Sequence, residues 1–238
     1  MSTKDGSNTL YSKQYEQHFH SVKDGAIFEA LHKHIFPSLQ HHQKKKQLNI
    51  LDICFGLGYN TFSTIDYIIR NNLDLKVCFY SPELDEELIQ SLGDFQYPKE
   101  FDHIKPIIDK LVTSGYYEDE QFTIQLHIGD ARKYIQTLDN IDVVYQDAFS
   151  SEVNKELWTK QYFADIKKIL SRDAVITTYS IATPIRLGMS ENNLFIFERV
   201  LPNNRKSTLA FTQKHSYDGY IDMDLKKQRN PSANALED

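Results

Sequence analysis

Four acidic residues fall at the ends of apolar runs: Asp52, Glu83, Asp130 and Asp147. Solvent explains any one of them. Four at equivalent places argue for a pocket beyond the carboxyl ends of parallel strands, where open α/β sheets bind their ligands. The first acid lies in Gln47–Asn60, QLNILDICFGLGYN, where an apolar run drops into a turn holding Gly56 and Gly58 before an amphipathic segment begins. Backbone near those glycines can approach a ligand because no Cβ intervenes. A dinucleotide site wants G-x-G-x-x-G with phosphates on the following helix N-terminus. Here no third glycine follows in register, and an acid where pyrophosphate would lie is repulsive.

The spacing suits instead a cationic ligand bearing an amino acid group, such as S-adenosylmethionine. Asp52 is then placed to reach a charged or hydroxylated part of it, Glu83 to hold ribose hydroxyls, and Asp130, in Gly129-Asp130-Ala131, to accept from the adenine amino group. Asp147 lies where a methyl donor would meet its acceptor. Phe55, Gly56, Gly58 and Asn60 in the first loop, with Ala131 beside Asp130, complete the expected cofactor set. Cys54 occupies the first glycine position of the usual D-x-G-x-G-x-G pattern. Cysteine lacks glycine's access to positive φ, so a somewhat different turn is expected.

The elements that must position these residues alternate along the chain. Leu48 to Phe55, Lys76 to Tyr80, Phe122 to Ile128, Ile141 to Gln146 and Ala174 to Tyr179 read as strands. Asn60 to Arg70, Asp85 to Leu92, Arg132 to Thr137, Gln161 to Leu170 and Thr183 to Met189 read as helices, and Phe195 to Val200 with Thr208 to Thr212 as a closing antiparallel pair. Repeated strand–helix units predict a mostly parallel twisted sheet with helices on both faces, a Rossmann-like α/β fold with an antiparallel C-terminal strand pair. Residues 1–46 read as an N-terminal extension over the pocket, with a polar, disordered start and an amphipathic helix from Gly25 that Pro37 helps to end. The domain proper spans 47–215, with an aromatic-rich insertion at 94–120, and 216–238 reads as a polar, mobile tail.

Composition adds limits. With 238 residues the chain suffices for one well-buried α/β domain. A net charge of −6 does not advertise nucleic-acid binding, and the basic runs Lys44–Lys46, Arg205-Lys206 and Lys226-Lys227 read first as solvated surface. Cys54 and Cys78 read as reduced core residues rather than a disulfide or metal pair. No apolar signal core or spanning stretch is present, so a cytoplasmic protein without membrane contact is expected.

Several segments resemble the methyltransferase domain of the bifunctional tRNA 5-methylaminomethyl-2-thiouridine biosynthesis protein, MnmC. They are ILDICFGLGYNTF at Ile50–Phe62, GDARKYI at Gly129–Ile135, QDAFSSEVNKELWTKQYF at Gln146–Phe163 and TYSIATPIRLGM at Thr178–Met189. The most specific is the stretch around Asp147, with Ala148, Phe149, Asn154 and Trp158 in the family's register. The resemblance implies methyl transfer from S-adenosylmethionine to the aminomethyl nitrogen on the wobble uridine of tRNA, without the flavin oxidoreductase domain that often follows. A separate enzyme would then supply the aminomethyl precursor. Arg186 matches the first Arg of the family's Val-Arg-Arg-Gly, and Arg205-Lys206 part of its Gly-Arg-Lys-Arg. The chain departs from the pattern at Ser151, Val153 and Lys155, at Leu187 and at Ser207.

In that chemistry an amine attacks the methyl carbon of a sulfonium, and the protein supplies positioning and desolvation. Asp147 is the catalytic candidate, accepting the proton of the amine or orienting it. Phe149 and Trp158 are candidates to stack on an extruded base, and Arg186 and Arg205 to contact phosphates. Each also has a packing alternative: Trp158 as an anchor, Phe149 as a plug above the sheet, Arg186 as a local pair, and Tyr179 as core. Two other functions stand beside the first. An aminopropyltransferase of the spermidine synthase type would want a second acid where Ser150 and Ser151 stand. A non-enzymatic S-adenosylmethionine-binding module is motivated by Cys54 alone.

Overall fold

The computed structural model describes residues 1–238. The chain divides into two compact units, Met1–Ala131 and Arg132–Asp238. The first opens with a short hairpin, β1 (Tyr11–Ser12) and β2 (Gln17–His18), which the sequence reading missed. The polar start is ordered rather than loose: Ser2 bridges Asn8, and Asp5 accepts from Thr3, Ser7 and the Phe28 N–H. The helical run begins after Gly25 with α1 (Ala26–Glu29), passes through a π-helical stretch, Ala30–Ile35, and continues as α2 (Phe36–His41). Pro37 therefore does not end it. The π-helical stretch changes the hydrogen-bond register just before the proline, and so accommodates its missing N–H and its ring.

The sheet strands of this unit run β5–β6–β4–β3: β3 (Gln47–Ile53), β4 (Lys76–Glu83), β5 (Tyr116–Glu118) and β6 (Phe122–Ile128). β3, β4 and β6 are parallel, and β5 adds an antiparallel edge. Between β3 and β4 lies α3 (Tyr59–Arg70), which buries Phe62, Ile65 and Ile68 at helical spacing. α4 (Glu86–Ser91) is capped by Asp85, which accepts from the Leu88 N–H at 2.9 Å. The expected insertion at 94–120 contains a 3₁₀ turn (Lys99–Ile104), the helix α5 (Lys105–Ser114) and β5. Pro106 starts α5, where a missing N–H costs nothing, and Gly115 closes it with φ +67°.

The second unit begins within α6 (Ala131–Ile135). Its strands run β7–β8–β10–β9: β7 (Ile141–Gln146), β8 (Leu170–Thr178), β9 (Phe195–Val200) and β10 (Lys206–Phe211). β7 and β8 are parallel, while β10 pairs antiparallel with both β8 and β9. Every residue of β7 is buried, the mark of a parallel strand covered on both faces. α7 (Lys160–Ile169) packs Tyr162, Phe163 and Ile166 inward, and α8 (Thr183–Ser190) follows β8.

The tail carries regular structure and side-chain contacts. Residues 216–238 form a bridge from Tyr220 to Phe197 and a helix, α9 (Met223–Arg229) capped by Asp222. The Asp238 carboxylate takes both Arg132 guanidinium nitrogens at 2.8 and 2.9 Å and the Thr159 hydroxyl at 2.7 Å. Its polar composition serves these contacts, a reading that periodicity alone cannot reach. The fold is thus the Rossmann-like one that the alternation predicts: mostly parallel, helices between strands, and an antiparallel pair at the C-terminal end.

Candidate active site

In the first unit, the loop from β3 to α3 turns through three successive left-handed residues at alternate positions. Cys54 has φ +61°, Gly56 +57° and Gly58 +72°. Cysteine therefore adopts the glycine-like conformation itself, and the turn does not deviate at this position as expected. The left-handed region costs a non-glycine residue about 1–2 kcal/mol, which the surrounding contacts must offset. At Gly58 any Cβ would lie 2.4 Å from the Phe62 ring and 2.7 Å from that of Phe55, so glycine is required for space as well as φ. At Gly56 a Cβ would come within 3.2 Å of Phe19, a ring carried by the N-terminal segment.

Two acids fasten this loop. Asp52 is wholly buried and accepts from the Thr61 hydroxyl at 2.8 Å and from the Asn60 amide at 3.3 Å. It clamps the first turn of α3, a helix with no side-chain cap. Glu83, half-buried at the end of β4, accepts from the N–H of Gly56 at 2.8 Å, of Leu84 at 2.8 Å and of Asp85 at 3.0 Å. Burial pushes its carboxyl above the ordinary range, against the pull of those three donors. A carboxylate has about four acceptor positions, so one remains for a ligand hydroxyl. The Glu83 carbonyl also takes the Gly129 N–H at 2.8 Å, which ties the exposed Asp130 and its neighbour Ala131 to the same strand ends.

Aromatic rings from both flanks cover the loop. The Tyr97 hydroxyl donates to the Leu57 carbonyl at 2.8 Å, and its ring packs edge-on to Tyr59 and Phe62. His20 meets Tyr59 edge-on, and the Tyr59 hydroxyl accepts the Asn8 N–H. Residues 1–46 and 94–120 thus both pack on the β3–α3 loop. Phe19 and Tyr97 gave no signal in the sequence, because their partners are contributed by residues about 40 positions away.

In the second unit, Asp147 is half-buried directly after β7. The backbone that carries it is pinned residue by residue. Gln146, fully buried, donates to the Leu157 carbonyl at 2.9 Å and accepts from the Tyr162 hydroxyl at 2.7 Å. Tyr179 donates to the Ala148 carbonyl at 3.0 Å, and the Trp158 indole to the Phe149 carbonyl at 2.7 Å. The Trp158 and Tyr179 rings meet edge-on at 5.6 Å. Ser150 closes the turn by accepting the N–H groups of Val153 and Asn154.

This arrangement separates the candidate substrate residues. Phe149 is half-buried, while Trp158 has no exposed surface and serves as a packing anchor, not an exposed platform. Arg186, 3% exposed, is likewise turned inward: it donates to Thr208 at 2.9 Å and pairs with Glu198 at 3.1 Å. Thr208 in turn donates to the Ser180 carbonyl at 2.6 Å, next to Tyr179. Arg205 is exposed in the β9–β10 turn. Tyr179 and Gln146 are the residues the sequence reading undervalued. A polar Gln ending a wholly buried strand was the available signal, since a buried amide must find partners.

The donor set of the first unit fits a sulfonium nucleoside: a glycine turn that admits close approach and a loop anchored by two acids. Comparison with known proteins agrees. Residues 102–213 match a family described as S-adenosyl-L-methionine-dependent methyltransferases. The structure of MnmC2 from Aquifex aeolicus superposes with a TM-score of 0.84 at 28% identity, covering 100% of this chain and 77% of that one. The chain resembles S-adenosylmethionine-dependent methyltransferases, and in particular the MnmC methyltransferase domain.

Two sequence relatives are similar over most of this chain. An uncharacterized protein of Methanocaldococcus jannaschii is 31% identical over 216 residues, covering 88% of this chain and 58% of that one. The bifunctional tRNA 5-methylaminomethyl-2-thiouridine biosynthesis protein MnmC of Campylobacter fetus is 22% identical over 225 residues, covering 87% of this chain. The chain spans 35% of that MnmC. No helix is long and apolar enough to cross a membrane.

Proposed function

We propose that this methyltransferase acts on the wobble uridine of tRNA in the cytoplasm, converting an aminomethyl group at C5 to methylaminomethyl in 5-methylaminomethyl-2-thiouridine biosynthesis. The observation that carries the reading is the Asp147 loop. It matches the MnmC register at Asp147, Phe149, Asn154 and Trp158, and its backbone is fixed by the buried Gln146 and Trp158 and the half-buried Tyr179.

S-adenosylmethionine, when bound, supplies an electrophilic methyl group. The loop around Gly56 and Gly58 would hold it, with Glu83 at the ribose hydroxyls, Asp130 and Ala131 at the adenine, and Phe55, Asn60 and Asp52 toward the amino acid end. Asp147 would take a proton from the acceptor ammonium, freeing the lone pair; the N–C bond would form as the methyl–sulfur bond breaks, its electron pair leaving on a neutral thioether and the positive charge passing to nitrogen. A carboxylate held by a rigid loop does this with little reorganisation. Phe149, half-buried beside it, packs against the uracil. Arg205 meets phosphate, while Arg186 acts from within as a strut. A separate enzyme supplies the aminomethyl precursor.

The test is transfer of labelled methyl to bulk tRNA from cells lacking this gene, followed by nucleoside mass spectrometry. A methylaminomethyl-uridine product is expected. Asp147→Ala should abolish it while leaving the cofactor dissociation constant within about twofold. Transfer to small polyamines and not to tRNA would overturn the reading.

A further inference from the structure

The basic run Lys44–Lys46 borders a cleft of about 490 Å³ that no part of the methyl-transfer reading uses. It is formed by the end of α2, the end of α3 and the residues entering β3 and β4. Phe36, Tyr67 and Leu73 line it, with Lys45 and Lys46 on its wall. The Phe36 and Tyr67 rings meet edge-on at 5.3 Å, and both are partly open to solvent. Lys46 pairs with Asp74 at 2.6 Å in a contact where both side chains are highly exposed. Lys76 also acts on that carboxylate, so two lysines converge on a single acid.

The cleft is separate from the cofactor loop. It sits at the amino end of β3, and the Asp52–Gly58 segment follows the other end. Seven strand residues at about 3.3 Å each put roughly 20 Å between them. Its volume is that of a small-ligand site, about 300–1,000 Å³. Aromatic walls accept the face of any base, and lysine ammonium groups bind phosphate as point charges. In a chain of net charge −6, a local excess of lysine is where an anion is drawn.

We propose that this cleft is a second nucleotide-binding site, with the phosphate on Lys45 and Lys46 and the base against Phe36 and Tyr67. The nucleotide is either free or a unit of an RNA strand. Only the RNA source draws on the tRNA reading; the site itself does not depend on it. Asp74 is the competing anion that a bound phosphate displaces from Lys46.

The test uses the full chain saturated with S-adenosylmethionine, so that the cofactor loop is filled, titrated separately with AMP and with bulk tRNA. The Lys45→Gln/Lys46→Gln variant should weaken binding at least tenfold, and Asp74→Asn should strengthen it, with cofactor affinity unchanged in both. AMP binding that responds to both variants identifies a free mononucleotide. A response with tRNA alone, with a salt slope smaller by about 2, identifies a nucleotide within RNA. Binding of both probes that ignores the variants, or no binding of either by the unaltered chain, overturns the proposal. Because the readout is binding, a chain inactive on tRNA still gives a decisive answer here.

Discussion

Arg186 separates two accounts of the second unit, because a phosphate contact and an internal strut respond oppositely to substitution. Consider Arg186→Met, which keeps most of the side-chain length. Removing one partner of a fully buried pair costs about 3–5 kcal/mol. Glu198 is only three-quarters enclosed and keeps Lys206 at 2.6 Å, which lowers that figure to about 2–3 kcal/mol. Loss of the bond to Thr208 adds about 1 kcal/mol. Against these, the buried Nη2 has no partner, and eliminating it recovers about 1–2 kcal/mol. The net expectation is a loss of about 2 kcal/mol. Urea unfolding should show a lower midpoint with an unchanged slope. Arg186→Lys retains the charge but cannot reach Thr208 and Glu198 together, so it should lose about 1 kcal/mol. If both variants instead unfold within about 0.5 kcal/mol of the parent, while tRNA binding weakens and its salt slope falls, the strut reading is wrong and Arg186 meets phosphate.

Cys54→Gly should raise stability by up to about 1 kcal/mol: relief of the left-handed conformation exceeds the extra unfolded-state freedom of glycine. A lower melting temperature would show that thiol packing outweighs the backbone term. Glu83→Gln addresses pH dependence. A carboxyl raised by burial binds its proton more tightly when folded, so its contribution is fully present below its ordinary value of 4.5 and is lost as pH rises through the folded value. The stability of the parent minus that of the Gln variant should therefore decline in denaturant titrations as pH rises from 4.5 through the raised folded value; a flat difference would remove the burial effect. Tyr179→Phe should lower kcat without changing cofactor binding and cost about 1 kcal/mol through the unpaired Ala148 carbonyl. Unchanged turnover would show that the Asp147 loop holds its geometry without that bond.

The elements that carry the cofactor and candidate catalytic acids were legible because their signals are local. Ile141–Gln146, apolar apart from Asp142 and its terminal Gln, matches the predicted strand to the residue, as does Phe122–Ile128 with its alternation. Asp85 before Glu86–Ser91 is a side-chain cap visible in the sequence. What the sequence did not disclose depends on partners distant along the chain. The tail owes its order to Arg132, Thr159 and the β9 backbone, and nothing in its own composition records them. Trp158 invited a base-stacking role because tryptophan suits one; only the acceptor of its indole N–H, the Phe149 carbonyl, gives it a place inside.

That same contact bears on how the candidate site is built. A side chain at a strand end is only as fixed as the backbone beyond the last ladder bond. After β7 that backbone has no partner strand, so its carbonyls must be satisfied one at a time. Trp158 and Tyr179 take the carbonyls of Phe149 and Ala148, and Gln146 takes that of Leu157 on the returning arm. Burying the tryptophan indole also removes about 200 Å² of largely apolar surface, worth roughly 5 kcal/mol, so the loop is held by hydrophobic burial as well as by its hydrogen bonds. The residues that look like substrate contacts in the sequence thus divide by depth. The buried ones, Trp158 and Arg186, spend their polar groups on the scaffold, and the half-buried or exposed ones, Asp147, Phe149 and Arg205, retain surface on which an acceptor can act.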